Sequence, residues 1–532
     1  MAQPITTSKR LIHNTFFNVL MLMTNAVVAF LLIGFFVGRL GEARYGLWVL
    51  IGSVFRYRLL LGMGLNSAIN RRIPMYLARE DERGIQRVVS TAVLFFCVAG
   101  FILAILSVVL YVKVGDWFAI EPELVPVASL LALVVGLSFA ASTPLQLTTA
   151  VLSGLQRYDV ISLVTLVVLA VKTTLLIALL LRGYGLVTMG LAYGMAEIVA
   201  RATQFVFARR LLPCLSISWR NVDRTLLREM LFYGMNTFLY AIGALLVYRA
   251  SETIIGIFLG ATEVAHFSIA AAGVLLLSQF LQAFTAAIKP AVSDLDARDD
   301  QARVRQIAFL TQKYSLLVIV PAGAFLAIMG GEFLTVWMGD KISDPTVIQS
   351  MARILTILTA GHVLMLAHHS NFLVLAGRGE HKVFGVLTAV LAVLCIAGAI
   401  VAVTVLGWGL EGIAWSNFVP MALVAGIVLP VYFNRKMGIS TRDCIRHVWW
   451  PALWGAAPSV ALLGLWKWLC PPDSWAQIGA VAATAAGTTM VFGWLWGLET
   501  SERHRLRSVL GGPGRRTMMH NGETPPTGQD PD

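Results

Sequence analysis

Residues 46–70, GLWVLIGSVFRYRLLLGMGLNSAIN, form an apolar run that follows the turn GRLGEARY of residues 38–45 and an earlier apolar run over residues 11–37. Each run is long enough to cross the roughly 30 Å hydrocarbon core of a membrane as one helix. The second run carries Arg56 and Arg58 near its middle. An arginine at that depth normally faces a bundle interior or a water-filled cavity, because lipid does not solvate it. The sequence therefore predicts a helix that lines a polar cavity inside the membrane.

Composition points to the same class for the whole chain. Of its 532 residues, 57% are hydrophobic and 13% are charged, which is about half of the roughly 25% found in soluble domains. We therefore expect an all-α polytopic membrane protein. The net charge of +12 would suggest nucleic acid binding in a soluble chain, but most basic residues here lie in short loops, so we expect no nucleic acid partner. The five cysteines are scattered, and we expect neither a metal site nor a cofactor.

Fourteen apolar runs are long enough to be membrane-spanning helices. They cover residues 11–37, 46–70, 88–112, 124–152, 160–182, 185–208, 230–259, 264–288, 313–338, 350–376, 383–406, 410–433, 448–470 and 476–498. An even number of spans places both termini on one side. The loops on that side carry 29 lysines and arginines and the opposite loops carry five, so the positive-inside rule predicts that both termini are cytoplasmic.

A short internal match predicts how the spans are grouped. The turn from Val37-Gly38 to Tyr45-Gly46 is similar to that from Leu259-Gly260 to Phe267-Ser268, at an offset of 222 residues. The match indicates two six-helix lobes in the same membrane orientation. The predicted organisation is a cytoplasmic N-terminus (1–10), an N-lobe (11–208), a cytoplasmic loop (209–229), a C-lobe (230–433), two further spans (434–498) and a disordered cytoplasmic tail (499–532).

Basic residues inside the spans are candidates for ligand binding. Arg56, Lys172 and Arg249 each lie 11 or 12 residues from one end of their spans, which is roughly 16–18 Å at 1.5 Å per residue and therefore close to the membrane midplane. Such cations would compensate an anionic group such as a diphosphate. Asn66 and Asn70 follow Arg56 on the same helical face and are expected to continue this binding surface. The alternative is that each cation pairs with a carboxylate and only holds helices together.

Two acidic residues also lie deep in the spans. Glu252 lies three residues after Arg249, so it either neutralises that arginine or acts as a proton or sodium site that couples transport to an ion gradient. Glu197 and Arg201 have the i, i+4 spacing of an ion pair within one helix. We favour a structural pair there and keep Glu197 as a second candidate for ion coupling. Arg58 lies on a different helical face from Arg56 and is expected either to pack between helices or to snorkel towards the membrane interface.

Three stretches carry a family resemblance: Phe36-Val37-Gly38 with Tyr45-Gly46-Leu47-Trp48, Gly62-Met63-Gly64-Leu65-Asn66 with Asn70-Arg71-Arg72, and Leu152-Ser153-Gly154-Leu155-Gln156-Arg157-Tyr158. With the fourteen spans, they make the chain resemble the polysaccharide flippases, which transport undecaprenyl-diphosphate-linked oligosaccharides and share a superfamily with the MATE multidrug exporters and the lipid II flippase. The resemblance implies two MATE-like lobes around a central cavity that opens alternately to each side. It also implies a bacterial inner-membrane protein that carries an O-antigen, capsule or exopolysaccharide repeat unit to the outer leaflet, with a polysaccharide polymerase or glycosyltransferases as candidate partners.

Two other functions fit a polytopic chain. The first is an ion-coupled multidrug exporter of the same superfamily. An exporter of cations should have an acidic cavity, however, whereas the deep charges here are five basic residues against Glu197 and Glu252. The second is an O-antigen polymerase or ligase. Those enzymes usually carry a large periplasmic loop, and no outer loop predicted here exceeds about 12 residues. We therefore expect a transporter rather than an enzyme.

Overall fold

The chain folds into fourteen long helical segments, α1 to α14, in the computed structural model, which describes residues 7–286, 288–500 and 502–503. Their bounds are Thr7–Leu40 (α1), Glu42–Arg56 with Arg58–Ala78 (α2), Glu82–Trp117 (α3), Val125–Gly154 (α4), Tyr158–Leu181 (α5), Leu186–Leu211 (α6), Arg224–Phe258 (α7), Ala261–Thr285 (α8), Gln301–Met338 (α9), Pro345–Gly377 (α10), His381–Thr404 (α11), Gly409–Met437 (α12), Thr441–Leu469 (α13) and Trp475–Gly497 (α14). The described residues contain no strand. The expected all-α polytopic membrane protein with about fourteen helices is confirmed. The predicted N-terminus (1–10) and tail (499–532) lie largely outside the described residues.

Hydropathy supports membrane insertion for nearly every segment. Among the described residues, twelve candidate spans are long and apolar enough to cross a membrane, and the two parts of α2 together make a thirteenth. The remaining segment, α6, carries Glu197 and Arg201 in its middle. Charged side chains lower the hydropathy of a span, and they are tolerated inside a membrane when partners in the helix bundle satisfy them.

The second predicted span is broken rather than continuous. Its first part ends at Arg56 and its second part begins at Arg58, and the segments 42–60 and 64–78 meet at an angle of 44°. Gly62 and Gly64 lie at this bend, and glycine is a common cause of a sharp change of helix direction. The first part of α2 packs on α8 and the second part on α7. One bent helix therefore contacts the second half of the chain along its whole length.

The apolar cores divide the molecule into two unlike faces. We call the face where α1 begins the basic face and the opposite one the far face. Towards the far face, the largest core joins both halves of the chain, with Leu50 of α2, Ile255 of α7 and Val264 of α8 among its members. Towards the basic face, one core contains residues of α2 to α7 and a separate core contains residues of α9, α10 and α12. The helices α13 and α14 pack on α9.

The far face is closed by direct contact between the start of α2 and the start of α8. A Cβ atom built on Gly46 would lie 1.7 Å from the carbonyl oxygen of Ala261, so only glycine permits this approach of the two backbones. Nearby, His266 Nε2 donates a hydrogen bond to Glu42 Oε2. The backbone N–H of Ala119 donates to the carbonyl oxygen of Gly256 at 2.9 Å. These contacts seal the far end of the space between the two halves.

Candidate functional site

A cavity of about 490 Å³ lies below this seal, between the two halves of the chain. The helices α1, α2, α4, α5 and α6 line it from one side, and α7 and α8 line it from the other. Its volume falls within the roughly 300–1,000 Å³ of typical ligand pockets. Its lining includes five charged residues, namely Arg56, Arg58, Lys172, Arg249 and Glu252. The structure thus brings together the three predicted cations and one of the two predicted carboxylates.

Arg56 is the last residue before the break in α2. Hydroxyl contacts hold the break against α7: Thr253 Oγ1 lies 3.1 Å from Ser53 Oγ and 3.3 Å from the Tyr57 hydroxyl. No carboxylate of the described chain lies within ion-pairing distance of the Arg56 guanidinium. Its charge is therefore available to a ligand in the cavity.

Lys172 approaches the cavity from α5. Its ammonium nitrogen lies 4.5 Å from the centre of the Tyr193 ring, and within the described ranges it has no carboxylate partner. A cation–π contact is worth about 0.5–2 kcal/mol, which leaves the ammonium group able to bind an anion as well. Arg56 and Lys172 are thus two cations on different helices that line one cavity, and neither forms an ion pair with a carboxylate of the described residues.

Arg249 is neutralised locally. Its Nη1 donates to Glu252 Oε1 at 2.9 Å, which is the pairing that the i, i+3 spacing allowed. Glu252 is 4% exposed, and its second oxygen, Oε2, has no hydrogen-bond partner among the described residues. Such an orphaned carboxylate oxygen requires a proton, a cation or a donor from a ligand, because an unsatisfied buried charge is costly.

Glu197 lies outside the cavity lining, between two arginines. Its Oε1 accepts hydrogen bonds from Arg201 at 3.0 and 3.1 Å and lies 3.5 Å from Arg58 Nη2. The guanidinium of Arg58 also lies 4.0 Å from the centre of the Phe139 ring. Arg58 therefore both packs between helices, as its helical face suggested, and reaches the cavity. The surroundings of Glu197 are those of a structural ion pair.

Asn66 and Asn70 do not line this cavity. They follow the bend in α2, so the helical face that they would share with Arg56 in a straight helix turns away from the cavity. Asn66 Oδ1 is buried, with no partner among the described atoms, while Asn70 is exposed. Their role in binding stays a prediction that the cavity does not support.

The cavity also has an aromatic surface that the sequence analysis did not single out. Seven aromatic side chains of the described chain line it: Phe30 and Phe36 from α1, Tyr45, Trp48 and Phe55 from α2, Phe139 from α4 and Tyr193 from α6. The Trp48 ring packs edge to face with Tyr193 at 5.5 Å between ring centres. In the sequence, a tryptophan near the end of a span is typical of an interfacial anchor, so no local signal assigned Trp48 to a cavity.

The chemistry of the site is that of an anion receptor. Four basic side chains and one carboxylate line the cavity within the described residues, so its net charge is positive even with the Arg249–Glu252 pair formed. Low-dielectric surroundings strengthen charge-assisted hydrogen bonds from arginine to phosphate oxygens. No group of three His, Cys, Asp or Glu side chains that could hold a metal ion occurs in the part of the chain that the structure describes.

Solved transporters share this fold. A MATE family multidrug resistance transporter of the MOP superfamily, in an inward-facing conformation, matches with a TM-score of 0.63 and 17% identity, covering 78% of this chain and 94% of that chain. The lipid II flippase MurJ, in an inward closed conformation, matches with a TM-score of 0.68 and 13% identity, covering 91% of this chain and 97% of MurJ. At these identities, the likeness establishes the fold alone.

Sequence comparison assigns the family. The uncharacterized membrane protein EpsK of Bacillus subtilis (strain 168) is 22% identical over 327 residues, which are 59% of this chain and 62% of EpsK. The chain thus matches less than two thirds of that relative's length. The model of a family described as polysaccharide biosynthesis protein matches residues 36–345, which is more than half of the chain and includes all of the cavity helices from α2 to α8. The chain therefore belongs to the polysaccharide biosynthesis protein family and has a MATE-like fold.

Proposed function

We propose that the protein is a flippase that carries a polyprenyl-diphosphate-linked oligosaccharide from the cytoplasmic to the outer leaflet of the bacterial inner membrane. The observation that carries this proposal is the pair of cations Arg56 and Lys172, which line one cavity and have no ion-pairing carboxylate among the residues that the structure describes. A diphosphate has the charge to satisfy both. The family and the MurJ-like fold support a lipid-linked saccharide as the rest of the cargo.

Alternating access is the mechanism that the two faces support. The far face is sealed by the contact between Gly46 and Ala261, while towards the basic face the apolar core of α2 to α7 is separate from the core of α9, α10 and α12. This arrangement favours entry from the basic face, which the loop charges predict to be cytoplasmic. In this scheme, the diphosphate binds at Arg56 and Lys172, the sugars occupy the cavity, and the lipid chain stays in the membrane while the far face opens.

Glu252 is our candidate for ion coupling. Its Oε2 atom has no partner among the described residues and could bind a proton or a cation, while its Oε1 atom accepts a hydrogen bond from Arg249. A diphosphate that binds Arg249 would displace Glu252, and protonation of Glu252 would release Arg249 for the substrate. Either step links the charge of this carboxylate to the binding of the anion. Glu197 is disfavoured for this role because two arginines already satisfy its charge.

The rival functions fit the site less well. A cavity with excess positive charge repels the small cations that a multidrug exporter of that kind would carry. For a polymerase or ligase, the far face offers little chain for a catalytic loop, since the longest described connection there comprises residues 118–124.

Transport in proteoliposomes tests the proposal. The purified chain is reconstituted with a fluorescent prenyl-diphosphate oligosaccharide, and its transfer between leaflets is followed by loss of protection from a membrane-impermeant quencher. Arg56→Gln and Lys172→Gln are each expected to slow transfer by roughly 10- to 100-fold, since a hydrogen bond to a charged group is worth about 1.5–3 kcal/mol. Arg353→Gln is the matched control, because Arg353 pairs with Glu411 outside the cavity. Transfer at the wild-type rate in both cavity variants would contradict the proposal.

A further inference from the structure

The aromatic surface of the cavity has no role in binding a diphosphate. Its members differ in access: Phe36 and Tyr45 are 5% and 4% exposed, whereas Trp48 and Tyr193 are only partly buried. All four line the cavity. Phe30 is partly buried as well, but its ring stacks on Trp337, with 4.3 Å between ring centres. Trp48 and Tyr193 are therefore the partly buried rings of the lining that lie beside a cavity cation, and we call this pair the aromatic platform.

The platform adjoins the cations on the side of the far face. Trp48 precedes Arg56 by eight residues in the same helix, so it lies about 12 Å closer to the far face along the helix axis. Tyr193 connects the two regions, because its ring lies 4.5 Å from Lys172 Nζ and its centre lies 5.5 Å from that of Trp48. A molecule whose anionic group binds Arg56 and Lys172 and whose next group extends towards the far face would place that group against Trp48 and Tyr193.

A polar atom in the same cavity lining indicates the character of that group. Thr173 follows Lys172 and also lines the cavity, and its hydroxyl oxygen is buried with no hydrogen-bond partner in the described structure. A purely apolar ligand, such as a prenyl chain, would leave this hydroxyl unsatisfied at a cost. A ligand that offers both a hydroxyl group and a flat face of C–H bonds would form a hydrogen bond with Thr173 and pack against the rings of Trp48 and Tyr193.

We infer that the aromatic platform and the Thr173 hydroxyl bind the sugar ring adjacent to the diphosphate. The C–H face of a pyranose carries partial positive charge and matches the negative face of an aromatic ring, while one of its hydroxyls bonds Thr173. This inference rests on the proposed function and narrows the class of substrate: the cavity binds the first sugar of the lipid-linked glycan as well as its diphosphate. Trp48 and Thr173 are then specificity-determining residues, and Arg56 and Lys172 bind the anion whatever the sugar.

Two ligands of one chain length test the inference. Isothermal titration calorimetry on the full chain in detergent compares farnesyl diphosphate with farnesyl-diphosphate-hexose. Trp48→Leu is expected to weaken binding of the glycosylated ligand by roughly 3- to 10-fold and to leave farnesyl diphosphate unchanged. Thr173→Val removes the hydroxyl with little change of shape and is expected to act in the same selective way. Trp48→Phe keeps an aromatic face and should retain most of the affinity.

Controls separate this inference from the proposed function. Arg56→Gln should weaken both ligands, and Trp415→Leu, at a tryptophan that packs on Phe418 outside the cavity lining, should weaken neither. If the wild type binds both ligands equally, or if Trp48→Leu and Thr173→Val weaken both to the same extent, the sugar platform is wrong while the diphosphate site stands. If the wild type binds neither ligand, the proposed function fails and the platform fails with it.

Discussion

Gly46 is the residue on which closure of the far face depends. It lies in the first part of α2, against the start of α8, and a Cβ at this position would lie 1.7 Å from Ala261 O and 2.5 Å from Ala261 C. Ordinary contacts of a Cβ begin near 3.4 Å. Gly46→Ala would thus force the two helices about 1.7 Å apart, because both clashing atoms belong to the backbone and cannot rotate away.

The expected effect is a shift of the protein towards a state that is open at the far face. Overpacking of this kind typically costs about 1–3 kcal/mol, and here the cost falls only on the closed state. That difference changes the ratio of open to closed molecules by roughly 5- to 150-fold. Gly52→Ala is the matched control in the same helix, because the nearest atom to its added Cβ is the end of the Arg56 side chain, at 4.0 Å.

Cysteine labelling measures the shift. Thr173→Cys places a reporter in the cavity of a chain whose five native cysteines are replaced by serine, and a membrane-impermeant maleimide is added at the far face. We expect Gly46→Ala to raise the labelling rate above that of the wild type by roughly 5- to 150-fold, in proportion to the ratio of open to closed molecules. We expect Gly52→Ala to leave the labelling rate unchanged. Equal labelling of wild type and Gly46→Ala, in protein that elutes as a single folded species, would refute the assignment of the Gly46 contact as the seal.

Three further predictions follow from other contacts. A Cβ on Gly234 would lie 2.2 Å from Gly64 Cα, whereas one on Gly64 would lie 3.6 Å from Gly234 Cα; Gly234→Ala should therefore raise maleimide labelling of the cavity from the basic face, and Gly64→Ala should not. Glu252→Gln removes the charge that holds the neighbouring arginine, so calorimetry should show prenyl diphosphate binding roughly 10-fold tighter, and unchanged affinity would contradict a competing carboxylate. Lys313 Nζ contacts both oxygens of Glu502 at 2.8 and 2.9 Å in a buried pair; Lys313→Met should lower the apparent melting temperature by several degrees, because a lone buried charge costs about 3–5 kcal/mol, and the double change with Glu502→Met should restore most of it.

Much of the architecture follows from the sequence because a membrane imposes strong constraints. A long apolar run satisfies its own backbone hydrogen bonds inside lipid only as a helix, so run length predicts the fourteen segments. Depth along a helix is equally simple, since rise per residue is fixed, and this places Arg56, Lys172 and Arg249 at similar levels. Their convergence on one cavity agrees with that reasoning. The i, i+3 spacing likewise anticipated the pairing of Arg249 with Glu252.

What the sequence did not predict depends on the direction of side chains around each helix. Extrapolation of one helical face from Arg56 to Asn66 and Asn70 requires a straight helix, and the 44° bend removes that basis. The bend results from glycines together with packing on two different helices, and the second cause is tertiary. Trp48 was overlooked for a related reason: a tryptophan near the end of a span looks the same in sequence whether it faces lipid or a cavity.

The break in α2 explains how one helix can serve both faces of a transporter. Its first part is fixed to α8 by the backbone contact at Gly46, and its second part is fixed to α7, where Gly64 meets Gly234. Arg56 is the last residue before the helix break at Tyr57, and the 44° bend follows between residues 60 and 64. We expect a separation of the halves at one face to rotate one part of α2 relative to the other and thereby to move the Arg56 guanidinium relative to Lys172, which is carried by α5. A cation beside the bend would then have a different geometry towards the anion in each state, and this difference is what a ligand needs in order to bias the equilibrium between them.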